Sequence, residues 1–424
     1  MAIAVLGGGA LGLTLAYRLV QAGRSVDLFE RGAEPGGLAS GFRVGQSYLE
    51  KFYHHLFRTD RAAVALIQEL GLGKRLVWTR PETSLLYRGQ MYQLDSPASV
   101  LRFSPLSIPD RLRFGAATAY LKLLRDYHSL ERTTASAWLR RWMGSGAYSV
   151  VLEPLLRSKF GIHADKILMS WMWARIKCRT TALGYLRGGF QLMYDRLVEE
   201  IQRLGGRVWL NESVRSVAPQ GDLFAVETSE RTGCYTDVVS TAPTRVTLQL
   251  VRGLPDEFRR RYDWGLAYGA HCVVLESDRR LMRPYWLSIN DPGFPFLAAV
   301  EHTNLMPAED YGGRHLLYLG NYLPQDHPLF QRADGDVIAE MIGALPRLNP
   351  SFRPEWILDK HVFQAPYAQP IVTDEFAAHI PPHVTPLPGL FIANMFQVYP
   401  QDRGQNYSIA MANRVARMVL DRAR

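Results

Sequence analysis

Five apolar residues, Ala2-Ile3-Ala4-Val5-Leu6, run straight into Gly7-Gly8-Gly9-Ala10-Leu11-Gly12, and this leaves the start of the chain few ways to fold. The apolar run reads as a buried strand and the glycines as a tight turn. Leu11, Leu15, Ala16, Leu19 and Val20 then recur at helical spacing. Ser25-Val26-Asp27-Leu28-Phe29-Glu30 reads as a second strand, ending on a carboxylate 18 residues after Gly12. Strand, glycine turn, helix, strand and carboxylate together form the pattern that holds a dinucleotide. Gly7 allows the turn, Gly9 lets backbone approach a pyrophosphate, and Gly12 lets the helix pack on the sheet. The unpaired N–H groups of the first helical turn, around Ala10 and Leu11, face the phosphates. Glu30 is placed to accept ribose hydroxyls.

A chain of 424 residues predicts two or three domains. No run of about 18 apolar residues offers a membrane span, and the glycines break the N-terminal apolar run too early for a signal peptide. A cytoplasmic protein is expected. Cys178, Cys234 and Cys272 are scattered without CxxC spacing, which points to reduced thiols and to neither a disulfide framework nor a zinc site. The net charge of +9 is unevenly placed: residues 61–190 carry 20 Lys+Arg against 8 Asp+Glu. Such an excess attracts phosphates, carboxylates or an anionic lipid surface, and otherwise forms a solvated basic face. No nucleic-acid-binding motif accompanies it, so nucleic acid is excluded as a partner.

Further along, Arg31 to Gly41 is a glycine-rich loop containing Gly36-Gly37-Leu38. Residues 60–72 predict a helix, and 85–92 a hairpin turned at Arg88-Gly89. Residues 110–185 are mainly helical. In 111–127 the stripe Leu112, Ala116, Ala119, Tyr120, Leu123, Leu124 and Tyr127 is flanked by Arg111, Arg113, Lys122 and Arg125. This suits either an internal packing face or a peripheral membrane contact. A helix over 191–204 and short strands through Asp237-Val238-Val239-Ser240 follow. Strands over 271–275, 296–300 and 315–321 come next, then a helix over 334–345. The chain closes with Leu390-Phe391-Ile392-Ala393-Asn394, a polar loop and a final helix.

VLGGGALGLTLAYRLVQAGRSVDLFER with GAEPGGLASG resembles the FAD-binding opening of the superfamily of amine oxidases, protoporphyrinogen oxidases and UDP-galactopyranose mutases. LGYLRGGFQLMYDRL resembles its mid-chain return to that domain, and GLFIANMFQVYPQDRGQNYSIAMANRVARMV its C-terminal flavin segment. KFYHHLF and EPLLRSKFG bring the bacterial protoporphyrinogen-oxidase-like members nearest. The resemblance implies FAD, held without a covalent link, and an α/β fold. That fold has a Rossmann-like FAD-binding domain built from three chain segments and an inserted α+β substrate domain that is partly all-helical. The implied pieces are 1–60, 186–250 and 385–424 for FAD, with 61–185 (helical, basic) and 251–384 (sheet) for substrate. Residues implied to hold FAD are Gly7, Gly9, Ala10, Leu11, Gly12, Glu30, Arg31, Gly36, Gly37, Leu38 and Val214. Near the C-terminus they are Asn394, Arg403, Gln405, Asn406 and Tyr407, where the final helix dipole suits negative charge on the flavin.

For chemistry, His54 and His55 resemble the histidine segment that mutases set against the flavin, and the pair Glu301-His302 ends an apolar strand. All four are candidate acids or bases. Arg157, Arg175 and Arg187, with Lys159 and Arg179, are candidates to grip an anionic small molecule. His379 and His383 have ligand-like spacing, but Pro381-Pro382 between them excludes the helix it needs, so no metal site is expected. The reading is an FAD-dependent oxidoreductase passing a hydride from an organic substrate to flavin N5. Rival readings are a nucleotide-sugar mutase using reduced FAD and a non-catalytic lipid carrier of the same fold. Neither the electron acceptor nor the oligomeric state is set by the sequence.

Overall fold

A computed structural model describes residues 2–422. Its organising layer is an all-parallel sheet in the order Arg207–Trp209, Ser25–Phe29, Ala2–Leu6, Asp237–Ser240, Leu390–Ile392. Three distant stretches of chain thus meet in one sheet. A parallel sheet needs cover on both faces, and the first strand shows how it is obtained. Ile3 and Val5 point to one side, where helices Ala10–Gln21, Gln191–Arg203 and Gln405–Arg422 pack. Ala4 and Leu6 point to the other, against the antiparallel strands Val214–Gln220, Leu223–Thr228 and Thr232–Tyr235.

A second, mixed sheet runs Ile357–Pro370, Ala267–Ser277, His315–Leu323, Ala298–Glu301, Trp286–Ile289, Thr83–Tyr87, Gln90–Gln93. Every residue of Ala267–Ser277 is buried. Alternate residues explain this: Cys272 and Val274 face the first core, while Val273 and Leu275 face a separate core closed by helix Asp334–Gly343. The hairpin turned at Arg88-Gly89 forms, with both residues in the left-handed region (φ 52° and 73°). It extends this sheet, although it lies within the stretch assigned by sequence to the helical part.

The helical layer packs around Trp171, with helices Ile108–Leu123, Ala135–Met143, Glu153–Phe160 and Met169–Cys178. Ile108–Leu123 is turned differently from the packing-face reading. Ala117 and Leu121 are buried, Phe114 packs beside them, and Leu112, Ala116, Ala119, Tyr120 and Leu123 face outward. Helix Arg61–Glu69 does not belong with that layer either. Its Leu66 and Ile67 join the core beneath the closing helix.

Candidate active site

Between the parallel sheet, the mixed sheet and the helical layer lies one cavity of about 2120 Å³. That is larger than the roughly 300–1,000 Å³ of an ordinary small-molecule site. One end is the glycine turn. Gly9 precedes helix Ala10–Gln21 with no side chain capping the first-turn N–H groups, and a Cβ there would stand in open space. A Cβ on Gly12 would instead collide with the Gly7 carbonyl, so Gly12 serves close packing and does not line the cavity. The second glycine loop is tied to the first: Gly36 N–H donates to Gly8 O at 2.8 Å, and Gly37 (φ 59°) lies against Gly9. Glu30 accepts from Gly8 N–H at 2.6 Å and Gly32 N–H at 2.8 Å. Arg31, Leu38 and Val214 also line this end.

The start of helix Gln405–Arg422 also borders the cavity. Gln405 Oε1 accepts from Tyr194 OH at 2.6 Å, while its Nε2 is buried with no partner. Asn406 has another duty: its Oδ1 accepts from Ala62 and Ala63 N–H and so caps helix Arg61–Glu69. Asn394 lines the cavity too, but donates to Ala242 O and accepts from Phe396 N–H, fixing two loops together. Tyr407 lines the wall between them. An open glycine turn, uncapped amides, a carboxylate held by two N–H groups and an orphaned amide donor fit a dinucleotide.

Residues 12–400 match the family of flavin containing amine oxidoreductases. The chain belongs to that family. It is an FAD-dependent oxidoreductase. A protein of Exiguobacterium sp. 255-15 assigned as a protoporphyrinogen oxidase superposes with a TM-score of 0.77 at 16% identity, covering 99% of both chains. Putrescine oxidase with bound putrescine gives 0.73 at 14% identity over 99% of both. Reduced UDP-galactopyranose mutase gives 0.75 at 16%, over 99% of this chain and 95% of the other. At these identities the likeness shows a shared fold. No curated protein matches the chain in sequence.

In this flavoenzyme His54 and His55 both line the cavity. His54 Nδ1 lies 2.6 Å from Phe52 O, and a carbonyl can only accept, so Nδ1 carries the proton and Nε2 is left as an acceptor. His55 Nδ1 meets Tyr285 OH at 3.0 Å. Burial pushes His54 down to about 4 and His55 to about 3, so both are neutral near pH 7. The Arg175 and Arg179 guanidinium groups reinforce the shift of His55.

Glu301 and His302 are elsewhere. Neither borders the cavity: Glu301 accepts from Leu281 N–H and Thr303 OH, and His302 Nε2 meets Tyr311 OH at 2.7 Å. Both are satisfied core groups, which corrects their reading as acid and base. Burial pushes Glu301, and likewise Glu50, up to about 7. Between the ordinary carboxylate value and about 7 the folded chain keeps protons that the unfolded chain releases. This stabilisation is complete below the unfolded value and is lost as pH rises through about 7. The share of stability against urea that each carboxylate contributes is therefore expected to fall by roughly 2–3 kcal/mol from about pH 5 to about pH 8, against the opposite trend that the depressed His54 and His55 impose below their ordinary value. Glu301→Gln should remove its share, and an unchanged pH slope in that variant would refute the assignment.

The arginines divide sharply. Arg157 is exposed and pairs with Glu153 and Asp165, and Arg187 pairs with Asp310 at 2.5 Å; neither lines the cavity. Both are thereby corrected as substrate-gripping residues. Arg175 does line it, within a cluster that sequence reasoning missed. Asp402 accepts from Lys159 at 2.8 Å and Arg175 at 3.0 Å, with Arg403 at 3.5 Å. Arg403 is also held by Ala368 O and by Tyr322 OH. The three cations hold Asp402 far below the carboxylate range, whereas burial pushes Lys159 down to about 7 despite its partner. Arg179 differs: it lines the cavity, and among the described residues its guanidinium has neither an ion pair nor a hydrogen bond. Burial lowers it to about 10, with Arg175 adding to the shift.

Proposed function

We propose that this flavoenzyme oxidises a bulky, largely apolar organic molecule bearing an acidic group, in the manner of the protoporphyrinogen and amine oxidases. When bound, FAD supplies N5 as hydride acceptor. The glycine turn, Glu30, Arg31, Gly36, Gly37, Leu38 and Val214 would hold its nucleotide half, and the start of the closing helix its flavin half. The observation that carries the substrate reading is Arg179. Asp402 is shared by its cationic neighbours Lys159, Arg175 and Arg403, whereas the Arg179 guanidinium, among the described residues, has no partner and is free to bind an anion within the cavity. Beyond it the lining turns apolar, through Leu85, Val151, Leu152, Leu155 and Met172. A nucleotide diphosphate would call for a polar chamber, so the apolar lining favours the oxidase reading over the mutase. His54, neutral with Nε2 unprotonated, is suited to accept a proton as substrate is oxidised.

The test is anaerobic mixing of the yellow holoprotein with porphyrinogens, amines, polyenes and nucleotide sugars. Bleaching by an acidic apolar compound is expected; turnover of a nucleotide sugar only after dithionite reduction would replace this reading with the mutase. Arg179→Gln is expected to raise KM about 10–100-fold, the worth of a charge-assisted hydrogen bond, with kcat and flavin occupancy little changed. Arg157→Gln should leave KM as it was, since that residue lies outside the cavity.

A further inference from the structure

The helix Ile108–Leu123 presents its apolar stripe to solvent. Ile108 is 68% exposed, Leu112 58%, Tyr120 52% and Leu123 79%, with Leu101 (55%) and Trp142 (54%) alongside. Tyr120 stacks on Trp138, which in turn meets Trp142, so an aromatic row borders the stripe. Cations frame it: among the described residues Arg102, Arg111, Arg113, Arg125 and Arg141 have no carboxylate partner. Arg111 and Arg113 fold their heads back onto the carbonyls of Leu106 and Arg141, leaving their charge at the rim. The cavity reaches this face, because the exposed side chains of Leu101 and Leu112 also line it.

We propose that this face seats the protein on an anionic lipid bilayer, with the cavity opening toward the membrane. Aliphatic side chains at the centre, Tyr and Trp beside them and unpaired arginines around them match the layers such a surface offers: acyl chains, the interfacial zone and acidic headgroups. A second copy of the chain would bring the same arginines into mutual repulsion.

The test is co-sedimentation of the holoprotein with vesicles of phosphatidylcholine alone and of phosphatidylcholine with phosphatidylglycerol in equal amounts, at low and physiological salt. Binding to the anionic vesicles that persists at physiological salt is expected, with a blue shift in tryptophan emission. Ile108→Glu/Leu123→Glu alters two side chains outside the cavity lining and should weaken binding at least tenfold while flavin occupancy and melting temperature hold. Binding that vanishes at physiological salt and ignores these substitutions would overturn the proposal, leaving only charge attraction. A protein that ignores vesicles but changes from dimer to monomer in the variant would overturn it in favour of self-association.

Discussion

Asp402→Ala is expected to cost the holoprotein about 3–5 kcal/mol, among the largest single losses available in this fold, because it leaves cations buried without their counter-charge. Lys159, Arg175 and Arg403 converge on one carboxylate, and Lys159 is itself buried. The loss has a signature that an ordinary cavity would lack. Of the three cations only Lys159 can shed its proton, and without Asp402 it should do so at still lower pH. The unfolded chain then holds more protons than the folded one over the interval up to the ordinary lysine value, so the variant should recover stability as pH rises. Urea unfolding at saturating FAD, at about pH 6 and about pH 9, measures this. Adding Lys159→Met should restore part of the loss by removing one stranded charge. A pH-independent deficit, with no gain from the second substitution, would show that the cluster acts through packing alone.

That cluster shows what the sequence could and could not convey. The glycine turn was readable because its residues are consecutive and each has a local reason: Gly12 packs on Gly7, and Ile3 and Val5 alternate with Ala4 and Leu6. Asp402 was not readable, because its partners Lys159 and Arg175 come from two separate helices that only tertiary folding brings to the loop carrying Asp402 and Arg403. The same holds for the arginines. Arg157, Arg187 and Arg179 are equivalent in sequence, and only Asp165 and Asp310 tell the paired ones from the unpaired one. Glu301-His302 misled for a different reason. An apolar strand ending in polar residues reads alike whether those residues reach a cavity or turn inward, and here Thr303, Leu281 and Tyr311 satisfy them in the core. Helix Ile108–Leu123 carries apolar residues on two faces, so periodicity located a stripe without saying that the other one, through Phe114, Ala117 and Leu121, is the one that packs.

Glu30→Ala is expected to weaken FAD binding on the order of 100-fold, about 3 kcal/mol, while leaving the apoprotein folded. In the wild type the carboxylate already accepts two N–H groups, from Gly8 at 2.6 Å and Gly32 at 2.8 Å, before any ligand arrives. Those two bonds fix the glycine turn against the loop that follows the second strand, and the carboxylate also borders the cavity, where it can accept ribose hydroxyls. Alanine removes both the brace and the acceptor. Water can reach the exposed amides, so the apoprotein loses little; the ligand loses charge-assisted hydrogen bonds and meets a turn no longer held in place. Glu30→Gln keeps the side-chain length and one acceptor oxygen, and should fall between, at roughly tenfold. Quenching of FAD fluorescence on titration into apoprotein gives all three affinities, and urea unfolding of the apoproteins separates binding from folding. Full flavin occupancy in purified Glu30→Ala would mean that the nucleotide half is held elsewhere in the cavity, and the assignment of the second-strand carboxylate would fall with it.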